Sequence, residues 1–321
     1  MISINRFTES FTDDWEKFVR DSNNGTIFHT RKFLSYHSKG KFIDHSLIFY
    51  KNKKPLSVLP AVEIFESNNK VFVSHPGASM GSFVTPIDLS FKDALQLVSE
   101  LNKYMKKQKF SSVRITIPSI IYNKRKTNYI DFSLIRHGYK YVKREVSSIL
   151  ILEDSIENNV KKFKPSHRRA LRKAQRLGLE IKNSEDFNTF YDILKKNLKN
   201  RHNVEPTHTV GELLKLKKLF PNNILLHAAF LDNKMIGGVV NFIANNDVVL
   251  AFYISHDEAY QEYRPINLLF YEIVKDAINK NFKVLDFGIF TVNEEPNMGL
   301  AKFKENFGSS GIFRDTFSFH F

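Results

Sequence analysis

One C-terminal run, Lys283 to Phe307 (KVLDFGIFTVNEEPNMGLAKFKENF), gathers the residue types that could do chemistry. It opens on a short apolar strand ending at Asp286 and Gly288 and closes on Lys302, Phe303 and Lys304. A carboxylate at a strand end and a lysine beside an aromatic suggest a site without saying which. Asp286-Phe287-Gly288 spells a kinase signature, but no V-A-I-K strand or H-R-D loop precedes it, so Asp286 reads as a hydrogen-bond acceptor at the strand end. Gly77-Ala78-Ser79-Met80-Gly81 matches G-x-S-x-G, which exposes a nucleophilic serine when it turns a strand into a helix. The next residues, Ser82-Phe83-Val84-Thr85, are β-prone and stopped by Pro86, leaving a plain loop or, as the alternative, a glycine-rich one whose N–H groups can approach a ligand. His202 and His208 lie close together without H-E-x-x-H or a carboxylate cluster, so no metal site is expected. In Arg168–Arg176, helical spacing puts Ala170, Leu171, Ala174 and Leu177 on one face and Arg168, Arg169, Arg172, Lys173 and Arg176 on the other. Like charges at that spacing repel, and a phosphate would relieve them.

The elements that must position these groups emerge from periodicity and turn chemistry. Helices are expected over Asp13–Ser22, from a Thr30 cap through Phe33 and Leu34, over Lys92–Lys107, and over Tyr129–His137 up to Gly138. Strands are expected over Ser46–Tyr50, Leu56–Phe65, Val71–Ser74, Ser112–Ile117 and Tyr141–Leu152. The second half repeats the plan. Helices from Ser155, from Ser166 to Arg176, near Asp186–Leu198 and over Gly211–Leu219 precede a meander of Ile224–Leu231, Met235–Ala244 and Val248–Ser255. The Ile266–Asn279 helix, the strand into Asp286, a short helix near Met298–Asn306 and a final strand Gly311–Phe321 complete it. The expected class is mixed α/β, in two domains, 1–153 and 154–321, each a mostly antiparallel sheet flanked by helices, with a cleft between them.

Composition bounds the function. At 321 residues and 42% hydrophobic the chain can bury two cores. The absence of cysteine excludes disulfides, thiolate zinc sites and a thiol nucleophile. No apolar run approaches a membrane span and the acidic N-terminal stretch is no signal peptide, so a cytoplasmic protein with no transmembrane segment is expected. Residues 1–150 hold 24 Lys and Arg against 13 Asp and Glu, and residues 151–321 hold 24 against 21. That basic excess points the first half towards a polyanion: a nucleotide-linked substrate, tRNA or other RNA, or an anionic membrane surface.

HRRALRKAQRLGLEI in mid-chain, with LDFG and GLAKFKENFG near the end, resembles the FemABX family of tandem GNAT-like acyl and aminoacyltransferases. FHTRKFLSYH and HPGASMGSFVTP carry the likeness in the first half, and the short spacing between Gly178 and Ile224 leaves no room for the helical arm of FemA and FemB, so FemX-type relatives are closer. The resemblance implies that Phe303-Lys304 is the family's closing pair, with Lys304 stabilising the acyl carbonyl or its oxyanion. It also implies that the arginine segment, Arg168, Arg169 and Arg172, holds phosphates, and that His29, Arg31, Tyr36 and Ser79 line an acceptor cleft. GNAT proteins that use acetyl-CoA carry a glycine-rich loop before the central helix, which the FemABX family as a whole tends to lack, and this chain reads Glu262-Tyr263-Arg264-Pro265-Ile266-Asn267 there. This argues against ordinary acetyl-CoA and leaves Arg264 to serve in the loop's place.

The chemistry implied is N-acyl transfer with no permanently bound cofactor and an acyl-CoA or aminoacyl-tRNA as co-substrate. The acceptor is an amine of a sugar nucleotide, glycan or peptide, such as a cell-envelope saccharide or peptidoglycan precursor. The amine must lose a proton, and His202 and His208, in the polar segment that includes Arg201, are the base candidates. Tyr253 and Asn267, at a strand end and a helix start, would orient the substrate. The alternative is a non-catalytic module that binds RNA or anionic glycans through its basic surface.

Overall fold

The computed structural model describes residues 2–202 and 204–321, with the backbone alone at residues 201 and 202. Two compact units emerge, one built from the residues up to Glu145 together with Phe313–Phe321, the other from Val146–Ile312.

The first unit runs β1 (Ile2–Arg6), α1 (Thr12–Asp21), α2 (Arg31–Leu34), β2 (Ile43–Asp44), β3 (Leu47–Lys51), β4 (Lys54–Leu59), β5 (Val62–Glu66), β6 (Asn69–Ser74), α3 (Phe91–Lys107), β7 (Ser112–Thr116), α4 (Tyr129–Arg136) and the start of β8 (Lys140–Ile151). One sheet has the order β1-β3-β4. Around β5, β6 and β7 a second sheet forms. The single strand expected from Leu56 to Phe65 is therefore two. Pro60, which has no N–H to give a ladder, separates them. The hairpin turns have both central residues at positive φ (Asn52 and Lys53, Ser67 and Asn68), the geometry that matches strand twist. Strands β6 and β7 are parallel, from Val71 opposite Ser112 to Ser74 opposite Ile115, and a parallel pair requires a crossover. Helix α3 supplies it. Ser90 caps its start by accepting the Asp93 N–H, and Ala94, Leu97, Val98, Leu101 and Met105 are buried on one face.

The second unit continues with α5 (Ile156–Lys162), α6 (Pro165–Arg176), β9 (Glu180–Ser184), α7 (Phe187–His202), α8 (Val210–Leu219), β10 (Ile224–Leu231), β11 (Lys234–Ile243), β12 (Val248–His256), α9 (Pro265–Asn279), β13 (Val284–Ile289), the two-residue strands β14 (Thr291–Val292) and β15 (Glu295–Pro296), and α10 (Met298–Glu305). Strand β16 (Ser310–His320) then carries the chain into the last segment of the first unit, where Thr316–His320 pairs antiparallel with β7. In the second unit the sheet order is β8-β13-β12-β11-β10-β9.

The plan of the first unit recurs, since β12 and β13 are parallel with α9 as their crossover. Ile266, Leu269, Phe270, Ile273, Val274 and Ala277 of α9 are buried with Val249 and Ala251 of β12, Leu285 and Phe287 of β13, and Phe307. At about 25 cal/mol per Å² of apolar surface, this helix face is the main fastening of α9 to the sheet. The parallel ladder is short. It holds Val248 to Val284, Val249 to Leu285 and Leu250 to Asp286, and beyond these no ladder joins the two strands among the described residues.

Candidate active site

In the second unit, the ladder between β12 and β13 stops where both strands leave regular geometry. On β12 the register with β11 shifts so that Phe252 is the extra residue between Ala251 and Tyr253. On β13 the register with β8 shifts between Asp286 and Ile289. Gly288 takes φ +75° there, a conformation open to glycine at little cost. Asp286 sustains the bend. Its buried carboxylate accepts the Ser147 hydroxyl and the Gly288 N–H, both at 2.7 Å. The expectation that Asp286 serves the strand end agrees with these bonds.

Lys304 comes to the same bend from α10, whose start is capped by Asn297 accepting the Leu300 N–H. Its side chain is buried, and Nζ donates to the Gly288 and Ile289 carbonyls, each at 2.7 Å. Gly288 lies in the register shift, and Ile289 is the first residue paired beyond it, opposite Ser147. A buried ammonium with such charge-assisted bonds is held rigidly. Phe303, its neighbour, packs its ring 5.4 Å from Phe307 and 6.4 Å from Phe270.

Because α9 runs back against two parallel strands, its N-terminus lies at the strand ends where β12 and β13 part. Pro265 starts the helix, and Arg264, in the left-handed region at φ 58°, gives it no side-chain cap. N-terminal N–H groups left uncapped attract anions. Asn267, in the first turn, is buried, and its Nδ2 makes no hydrogen bond among the described residues. Helix α6 also begins on a proline without a side-chain cap. In its first turn His167 has a lowered pKa because of burial and then the nearby Arg264 charge. Along α6, Leu171 and Ala174 are buried. Arg169, Arg172, Lys173 and Arg176 are exposed and Arg168 is half-buried, and none of the five forms an ion pair among the described residues. The amphipathic reading of this helix agrees with that division.

Tyr253 and His208 meet on the other face of β12, the face covered by α7, where Asn197 donates to Ser255 at 2.9 Å. The Tyr253 oxygen accepts the His208 N–H at 3.1 Å and lies 2.9 Å from His208 Nδ1. Burial pushes the Tyr253 pKa up to about 12, so the phenol keeps its proton at neutral pH. Tyr191 of α7 fixes the segment further by donating to the His208 carbonyl at 3.1 Å. Arg201 and His202 have side chains outside the described residues.

The first-unit candidates are tied into their own unit. His29 is fully buried, its Nδ1 accepting from Thr26 N–H at 3.1 Å while Nε2 donates to the Gly81 carbonyl at 2.7 Å. Burial holds its pKa down at about 4. Arg31 pairs with Asp44, donates to Ser46 at 2.8 Å and lies 3.9 Å over the Phe7 ring. Tyr36 donates to the Gly77 carbonyl at 3.0 Å. Ser79 sits half-buried in its loop, with no helix directly after it. His29, Arg31 and Tyr36 thus hold loops together, for their polar atoms are spent on distant parts of the same unit. Sequence reasoning gave His167 no role and noted Gly288 only as part of the strand end. A lone histidine beside arginines carries no motif, and Gly288, two residues after Asp286, signals only a position where positive φ comes at least cost.

Residues 161–305 match the model of the acetyltransferase (GNAT) domain family. Among solved structures the chain resembles FemX, at 13% identity over 99% of this chain and 97% of that one, with a TM-score of 0.78. It also resembles L-PGS from Bacillus licheniformis, at 10% identity over 95% and 90% of the two chains and a TM-score of 0.59. A tandem GNAT protein from the clavulanic acid biosynthesis pathway aligns at 7% identity over 100% and 98%, with a TM-score of 0.55. A sequence search of curated proteins finds no match.

Proposed function

As residues 161–305 form a GNAT acetyltransferase domain within a chain of FemX-like tandem GNAT fold, we propose that this acyltransferase acylates amines, taking the acyl or aminoacyl group from a phosphate-bearing carrier. The carrier is an acyl-CoA or an aminoacyl-tRNA, and the acceptor an amine of a cell-envelope saccharide or peptidoglycan precursor. The observation that carries this reading is the parting of β12 and β13 after Leu250 and Asp286, directly at the N-terminus of α9. Unladdered backbone on two strand edges gives an acyl carbonyl and its linker hydrogen-bonding partners, and the helix start with Arg264 gives the carrier's phosphates a seat.

In the reaction the acceptor ammonium first loses a proton. The Tyr253 oxygen, backed by His208, relays it: the phenol proton moves to His208 Nδ1 as the oxygen takes one from the amine. The nitrogen lone pair then attacks the carbonyl carbon, and the carbonyl π pair moves onto oxygen. Lys304, rigid on the Gly288 and Ile289 carbonyls, places positive charge beside the developing oxyanion. Collapse of the intermediate breaks the thioester or ester bond while the nitrogen releases its second proton to solvent, leaving the neutral amide. The leaving thiolate or ribose oxygen takes up the proton held on His208. The arginines of α6 retain the carrier's phosphates through turnover.

Mass-spectrometric detection of product, with acyl-CoAs and charged-tRNA mimics as donors and amino sugars and peptides as acceptors, tests the reading. Amide product that depends on Lys304 supports it. No product with any donor, together with RNA binding that falls steeply with salt, would replace it with the binding-module reading.

A further inference from the structure

Among the described residues, three of the fifteen exposed large apolar side chains, Phe91, Phe132 and Ile135, gather on two adjoining elements of the first unit. On α4, Phe132, Ile135 and Arg136 share one outward stripe at i, i+3 and i+4 spacing, and Phe132 and Ile135 are 50% and 47% exposed. The first residue of α3, Phe91, lies against them, its ring 5.4 Å from Phe132 and 5.3 Å from Tyr129. Ile87 precedes it in the loop. A lone exposed apolar residue needs no explanation, but a group in ring contact does. Phe91 caps no core of its own, and α4 meets α3 through its other face, where Leu134 is buried.

Cations surround this group. Lys92 comes directly after Phe91, Lys124, Arg125 and Lys126 precede α4, and Arg136 and Lys140 lie at and beyond the end of its stripe, all six exposed. Arg125 lies 5.6 Å over the Tyr129 ring and donates to the Leu89 carbonyl, which draws this basic loop against the patch. Lys92, Arg136 and Lys140 form no ion pair among the described residues. Two acids, Asp88 and Asp131, adjoin the patch, and burial pushes the Asp131 carboxyl up.

We propose that this face docks the first unit onto an anionic lipid bilayer, with Phe91, Phe132, Ile87 and Ile135 entering the interface and the surrounding lysines and arginines meeting lipid phosphates. An apolar insertion of this size binds reversibly by itself, and a basic surround supplies the second signal that stable attachment takes. Charge complementarity selects this occupant over two others. A second copy related by a two-fold axis would bring basic rim to basic rim. A single-stranded nucleic acid would use the rings for stacking, but Ile87 and Ile135 offer no aromatic plane. The inference stands apart from the acyl-transfer reading, since it uses no residue of that site.

Sedimentation of the full chain with vesicles tests it. Binding to equimolar phosphatidylcholine and phosphatidylglycerol should exceed binding to phosphatidylcholine by about tenfold or more at low salt and weaken as salt rises. The exposed-site variant F91S/F132S should lose about tenfold of that binding, again at low salt, without a change in melting temperature. K92E/R136E should weaken binding and flatten its salt dependence. No preference for the anionic vesicles would overturn the proposal, as would unchanged binding by F91S/F132S. A concentration-dependent dimer abolished by F91S/F132S would overturn it in favour of self-association, and RNA binding lost in that variant would overturn it in favour of nucleic acid.

Discussion

Tyr253 and His208 are joined twice, through the backbone N–H and through the ring nitrogen of the histidine, so one phenolic oxygen positions both the loop and the imidazole. Tyr253→Phe removes both bonds and keeps the ring. Turnover of the acyltransferase should fall by roughly a hundredfold, within the range of a lost acid–base group, and its dependence on pH near neutrality should flatten. Steady-state kinetics across pH checks this. An unchanged profile with reduced stability would make the pair structural only.

Lys304→Ala leaves two carbonyls of the β13 bend without their donor. A stability loss of about 2–3 kcal/mol is expected for these charge-assisted bonds in a buried place. If the ammonium also serves the oxyanion, kcat should drop by a further hundredfold or so with KM little changed. Asp286→Ala, which frees Gly288 and Ser147, separates the two effects: it should cost comparable stability while sparing more of kcat. Denaturant unfolding beside kinetics distinguishes them, and wild-type turnover in Lys304→Ala would remove the lysine from the mechanism.

Asn267 carries a buried nitrogen with no partner among the described residues, and an unsatisfied group of this kind costs about 1–3 kcal/mol. Asn267→Leu, similar in size and apolar, should leave stability unchanged or raise it. Binding of the phosphate-bearing carrier should weaken by about tenfold if that nitrogen serves the ligand. Thermal shift with and without carrier measures both quantities on one sample. Equal carrier binding in the variant would separate Asn267 from the donor site.

The first unit should be acid-labile. His29 has its pKa lowered to about 4 by burial, and so has His75, held by the Pro76 carbonyl. A depressed histidine contributes stability that is full above the unfolded value of 6.5 and is lost as pH falls through the folded value near 4. Each shift corresponds to roughly 3 kcal/mol across that window. Urea midpoints should therefore fall steadily between those two pH values, and His29→Gln should show a shallower fall from a lower starting stability. A parallel pH dependence in the variant would refute the assignment.

The sequence by itself determined the local units and the residue types available to the site. Periodicity was enough for the buried face of α3 and the divided faces of α6, because helix geometry makes a face out of near neighbours. Turn chemistry placed the Asp232-Asn233 hairpin, whose two residues take φ 48° and 64°. Strands β1 and β9, both short with mostly polar side chains, left no such pattern. Tertiary structure alone decided what the polar groups do. Asp286 meets Ser147 across 139 positions, Tyr253 meets His208 across 45, and His29 meets Gly81 across 52. Each polar side chain bonds whatever the fold sets within about 3 Å, and no spacing rule reaches that far along a chain. Thus Lys304 was legible as a lysine beside a phenylalanine, but only folding showed it fastened to the carbonyls of a bend that Asp286 maintains.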